Sequence, residues 1–102
     1  MKKLIALITV ALFVLTAAVP DKTTTIFIIG ESTAAKKDLS TGSPERGWGM
    51  ALQTYFDSTY IRVDNHAVNG RSSKSFIDEG RWDKGLSAMK PGDYVIIQFG
   101  HN

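Results

Sequence analysis

The sequence contains no cysteine, only two histidines and three prolines. Without cysteine there is no disulfide framework, no thiolate metal site and no thiol nucleophile. A domain of this size must then rely on its apolar core, or on further residues, for stability. Nor is there a basic surplus outside the first residues. Of twelve basic residues, Lys2 and Lys3 belong to the extreme N-terminus, and the remaining ten match the ten acidic ones. A nucleic-acid partner needs a basic face, and none survives this subtraction.

The N-terminus itself is distinctive. A Met1-Lys2-Lys3 head precedes an apolar run from Leu4 to Leu15 that only Thr9 interrupts, and the small residues Thr16, Ala17 and Ala18 follow. This is the layout of a secretory signal peptide over residues 1–18, with cleavage after Ala17 or Ala18. The alternatives are a membrane anchor or a buried helix, but spanning a bilayer takes about 20 apolar residues. The expectation is a secreted or periplasmic protein with no stable membrane anchor after cleavage.

Beyond the signal segment, Thr24 to Ile29 (TTIFII) is an unalternating apolar, β-branched run closed by Gly30, the pattern of a buried strand. Residues 33–47 are polar and contain Pro44, which marks a surface loop. Trp48, Ala51, Leu52, Tyr55 and Phe56 fall at helical spacing and predict one apolar helix face. Tyr60 to Asn65 alternates as a second strand, Gly70 to Ser75 reads as a polar turn, and Phe76 to Met89 is helical with a break expected near Gly80. Pro91-Gly92-Asp93 is a turn before a third apolar strand, Tyr94 to Phe99.

This alternation predicts an α/β fold in three α/β/α layers, with a parallel sheet and right-handed crossovers. Residues 19–102 read as the N-terminal part of such a domain, truncated after the third strand. Three strands and two helices leave faces of the sheet uncovered, so the 102-residue chain is expected to be marginal in isolation.

In open α/β sheets, ligands bind beyond the carboxyl ends of the strands. Here those ends read Gly30-Glu31-Ser32-Thr33, Asn69-Gly70-Arg71-Ser72 and Gly100-His101-Asn102. A serine, a glycine N–H and an asparagine amide at one place make the inventory of an acyl-transfer site: a nucleophile with donors for the developing oxyanion. Each residue also has a plainer reading. Ser32 suits a helix N-cap, Asn102 a turn, and Gly70 a tight turn that remains compatible with an oxyanion role.

These three blocks resemble the first three conserved blocks of the SGNH/GDSL hydrolases. They are most similar to those of the rhamnogalacturonan acetylesterases, which read G-D-S-T, A/N-G-R-S and G-H-N-D. Gly47-Trp48-Gly49, Gly80-Arg81 and Pro91-Gly92-Asp93-Tyr94-Val95 resemble that group too, and the likeness covers Thr25 to Asn102. Glu31 departs from the usual aspartate.

The resemblance implies a flavodoxin-like SGNH hydrolase fold and a secreted serine esterase that removes O-acetyl groups from a plant cell-wall polysaccharide. It implies Ser32 as nucleophile and an oxyanion hole from the N–H groups of Ser32 and Gly70 and the Asn102 amide. Neither metal nor cofactor is called for. The base in that family is a histidine in a D-x-x-H block. Neither His66 nor His101 lies in such a pattern, so activity of these 102 residues alone is in doubt. Arg71 and His101 are candidate substrate-lining residues; Arg71 and Lys74 suit an acidic polysaccharide or, equally, a solvated turn. His66 reads as structural. The alternatives from other classes are a noncatalytic, flavodoxin-like carbohydrate-binding module and a lipase- or thioesterase-like SGNH relative.

Overall fold

The computed structural model describes residues 23–102; the expected signal segment, 1–18, lies outside the described residues. Three parallel strands form one sheet in the order β2-β1-β3. They are β1 (Thr24–Gly30), β2 (Ile61–Asn65) and β3 (Tyr94–Gln98). Position in the sheet explains the sequence patterns. β1 is central and covered on both faces, so Phe27, Ile28 and Ile29 are all buried and its apolar residues run on without alternation. β2 is an edge strand with one covered face, so half-buried Ile61, Val63 and Asn65 alternate with exposed Arg62 and Asp64. Its outer backbone is partly paired by a side chain. Gln53 donates to the Ile61 carbonyl at 3.0 Å and accepts from the Val63 N–H at 2.7 Å.

Three α-helical segments are present among the described residues: α1 (Trp48–Ala51), α2 (Ser73–Asp78) and α3 (Arg81–Ala88). A 3₁₀ turn, Leu52–Tyr55, continues α1. The register aligns Ile28 with Asn65, and α1 packs on that face, its Gly49 lying against the Asn65 side chain. On the opposite face, Gly85 of α3 lies against Ile29. Helices on both faces give the expected three layers.

The expected helix from Phe76 to Met89 does break at Gly80, but helix begins earlier, at Ser73. The polar stretch expected to be only a turn supplies its cap: Ser72 Oγ accepts from the Ser75 N–H at 3.1 Å, and Ser75 Oγ accepts from the Ser72 N–H at 2.9 Å. The predicted apolar face of residues 48–56 is not buried. Trp48, Ala51, Tyr55 and Phe56 are exposed, and the buried residues there are Gly47 and Gly49. Contact with the core is made by backbone. The Trp48 N–H donates to the Thr33 carbonyl at 2.9 Å and the Gly49 N–H to the Ala34 carbonyl at 3.2 Å. A Cβ at Gly49 would stand 2.4 Å from both the Ala34 oxygen and Asn65 Nδ2, which is the physical reason for glycine on either side of Trp48.

β3 is the poorly covered strand. Tyr94, Val95, Ile96 and Ile97 are exposed, Ile97 to 59%. Beside it an apolar groove of about 210 Å³ is lined by Ile29, Phe76, Ile77, Trp82, Ile97 and Phe99. The expected turn before β3 is pinned to the start of β1 by Asp93, which accepts from the Thr25 N–H at 3.0 Å and the Lys90 N–H at 2.8 Å.

Candidate active site

Ser32 lies just past β1, and its hydroxyl donates to Glu31 Oε2 at 2.9 Å. Glu31 is fully buried. An ionised carboxylate survives there only when its oxygens are satisfied, and the turn provides for this. The Thr33 N–H donates to Oε2 at 3.2 Å and Thr33 Oγ1 donates to Oε1 at 2.6 Å. These contacts, the Thr33 hydroxyl foremost, hold the Glu31 pKa below its ordinary value against the opposing effect of burial, and the charge of His101 acts in the same direction. Thr33 Oγ1 also lies 2.8 Å from Gln98 Oε1, which accepts from Trp48 Nε1 at 2.8 Å. The Ser32 turn is thereby tied to β3 and to α1. The longer reach of glutamate, compared with the usual aspartate, does not prevent this bonding.

The other two strand ends join the same place. Lys37 Nζ donates to the Ser32 carbonyl and, at 2.7 Å, to Asn69 Oδ1, linking the turn after β1 to the loop after β2. Gly70 follows with φ +74°, a left-handed conformation that side chains disfavour. Asn102 Nδ2 donates to the Arg71 carbonyl at 3.1 Å, linking the segment after β3 to that loop. A cavity of about 260 Å³ opens here, lined by Ser32, Thr33, Lys37, Glu45 and Arg46. A larger one of about 700 Å³ lies beside β2 and α3, lined by residues including Asp64, His66, Arg81 and Lys84. It borders none of the three strand-end blocks.

Arg71 is committed within the protein. Its Nε and Nη2 contact the Glu79 carboxylate at 2.8 and 3.2 Å, and Nη1 donates to the Asn69 carbonyl at 2.8 Å. Arg71 and then Arg81 hold the Glu79 pKa below its ordinary value. Lys74 pairs with Asp78 one turn on. Lys74 is 84% exposed within its pair and Arg71 is 32% exposed, so neither pair closes these cations to a ligand. His101 is exposed. His66 lies with Nε2 3.0 Å from Asp64 Oδ2, in contact but without hydrogen-bond alignment, and its ring is 5.9 Å from that of Phe27. It packs on the sheet beside Phe27.

Sequence reasoning quoted Thr33 and Asn69 within the strand-end blocks but gave them no role, and it did not single out Lys37 or Gln98. A signal existed for Gln98, the one polar residue within the apolar run YVIIQF. Lys37 stands in a lysine-rich loop where nothing distinguishes it.

A parallel sheet with helices on both faces, and a serine turn, a glycine loop and an asparagine at adjoining strand ends, is consistent with a truncated flavodoxin-like α/β fold. No family model matches the chain. The chain is 39% identical over 77 residues to the probable rhamnogalacturonan acetylesterase YesY of Bacillus subtilis, covering 76% of this chain and 34% of the relative. It is 38% identical over 78 residues to the rhamnogalacturonan acetylesterase of Emericella nidulans, covering 76% of this chain and 28% of the relative. Among solved structures, the crystal structure of YxiM from Bacillus subtilis superposes with a TM-score of 0.69 at 33% identity, over 79% of this chain and 23% of that one. These likenesses, to relatives named as rhamnogalacturonan acetylesterases, support an SGNH hydrolase fragment. It spans about a third or less of the length of the curated relatives it matches.

Proposed function

We propose that this chain forms the nucleophile and oxyanion-binding part of a secreted serine esterase that removes O-acetyl groups from a polysaccharide such as rhamnogalacturonan. The single observation that carries the reading is the meeting of three strand ends around Ser32, bonded to one another through Lys37 and Asn102. Ser32 Oγ attacks the acetyl carbonyl. The negative oxygen of the tetrahedral intermediate is received by the N–H groups of Ser32 and Gly70 and the Asn102 amide, which must turn from the Arg71 carbonyl to do so. The sugar hydroxyl leaves with a proton, and water then releases acetate from the acyl-serine.

The reaction needs a base for the Ser32 proton. Glu31 receives that hydrogen bond at rest, but its depressed pKa makes it a poor proton acceptor and a good orienting group. The reading assigns the base to no residue of this chain. The exposed Trp48 ring, held by Gln98 beside Thr33, offers a surface for a sugar face.

The test is acetate release from acetylated rhamnogalacturonan by the full-length gene product. Ser32→Ala is expected to abolish release while leaving the fold intact. Retained release would place the nucleophile elsewhere; polysaccharide binding without any release would favour the carbohydrate-binding module.

A further inference from the structure

Lys37 makes an arrangement that the esterase reading does not use. Its ammonium reaches two elements at once: the backbone carbonyl of the nucleophile, Ser32, and the side chain of Asn69, which precedes Gly70. Both acceptors are neutral. Other cations near the strand ends have partners of their own: Arg71 and Arg81 on Glu79, Lys74 on Asp78, and Arg46 on the Ser43 and Glu45 carbonyls, while the adjacent Lys36 is exposed. Lys37 forms no ion pair among the described residues, and Glu45 lines the same cavity without pairing to it. A long cationic side chain held by two neutral oxygens from separate loops is suited to fixing their spacing.

We propose that Lys37 is a positioning residue. It clamps the Ser32 turn to the Asn69–Gly70 loop, so that the Ser32 and Gly70 N–H groups keep a common target. This rests on the esterase reading for its catalytic meaning, although the clamp itself is a structural statement. The two loops follow different strands, and no backbone hydrogen bond is recorded between Ser32 and Asn69 or Gly70. Without the lysine, the spacing of the two N–H groups depends on bonds deeper in the fold, from the Val68 N–H to the Gly30 carbonyl at 3.1 Å and from Asn65 Nδ2 to the Ala34 carbonyl at 2.9 Å. An error of about 1 Å in such a site costs on the order of a hundredfold in rate.

The experiment has two arms on the full-length gene product. In the first, hydrogen exchange is followed by mass spectrometry in wild type, Lys37→Met, Asn69→Ala and the double variant. The clamp predicts faster exchange in peptides covering both residues 31–33 and 69–71 in each single variant, with little further change in the double variant. Unchanged exchange in either loop overturns it, and this arm needs no enzymatic activity. In the second arm, Lys37→Met is expected to lower kcat about 10- to 100-fold with KM within about twofold, and Lys37→Arg to recover part of the loss. A raised KM at unchanged kcat would make Lys37 a substrate-binding residue and overturn the positioning role. If the wild type shows no Ser32-dependent hydrolysis, the esterase reading falls, and the exchange arm still decides the clamp. Should Lys37→Met fail to fold, Asn69→Ala tests the same bond from its other end.

Discussion

The Ser32 hydroxyl donates to the carboxylate of its own neighbour, Glu31, at 2.9 Å, and that carboxylate is fully buried. Ser32 is therefore held at rest by an anion that the Thr33 backbone and hydroxyl stabilise from within the same turn. Such an arrangement fixes the rotamer of Ser32 without activating it, and several consequences can be measured.

Glu31 makes stability depend on acid. Its folded pKa is lowered from an ordinary value of 4.5, with the Thr33 hydroxyl as the main cause. The stabilisation is therefore complete above the unfolded value and is lost as pH falls through the depressed folded value. Urea midpoints measured from pH 7 downward should fall more steeply for wild type than for Glu31→Gln below pH 4.5. Parallel curves would remove Glu31 from the acid response.

Gly49→Ala should destabilise the fold. The added Cβ would stand 2.4 Å from a backbone carbonyl and from the Asn65 amide, with little room for either to move. Overpacking of this kind costs about 1–3 kcal/mol, readable as a lower urea midpoint at an unchanged slope. Gly42→Ala offers a contrast, since space around it is open and only its φ of +74° opposes the change.

The exposed apolar faces of β3 should make residues 23–102, taken alone, prone to associate. Ile97 at 59% exposure and the neighbouring apolar groove present a surface that water disfavours. Sedimentation of that segment should show species larger than a monomer, and Ile97→Lys should shift them toward monomer. A cooperative, monomeric unfolding transition at all concentrations would contradict this.

Asn102→Ala should lower kcat by about a hundred- to a thousandfold with a small change in KM, the signature of a donor used chiefly in the transition state. Steady-state hydrolysis of an acetyl ester by the full-length gene product measures this directly. An unchanged kcat would return Asn102 to its bond with the Arg71 carbonyl as its whole role.

Much of the fold was legible because strand position leaves a mark on side-chain pattern. The continuous apolar run of β1 and the alternation of β2 follow from central and edge placement. Residues 48–56 misled because periodicity counts side chains, whereas this segment meets the core through Gly47, Gly49 and backbone hydrogen bonds. That Ser32, Gly70 and Asn102 lie beyond strand ends was legible because strand boundaries are a local pattern. The Lys37–Asn69 and Trp48–Gln98 bonds could not, since each joins residues far apart in sequence whose meeting depends on how the loops fold back. The Arg71–Glu79 pair could not be foreseen either, since Glu79 lies on the far side of α2 in the sequence.

The central claim is that Ser32 is the nucleophile, and active-site labelling tests it most directly. The full-length gene product would be treated with an organophosphonate serine probe, digested and sequenced by mass spectrometry, alongside acetate release before and after labelling. The account predicts one adduct per chain, on the peptide containing Ser32, with acetate release lost in proportion and no adduct in Ser32→Ala. An adduct on a different serine accompanied by loss of activity, or undiminished acetate release from Ser32→Ala, would contradict it.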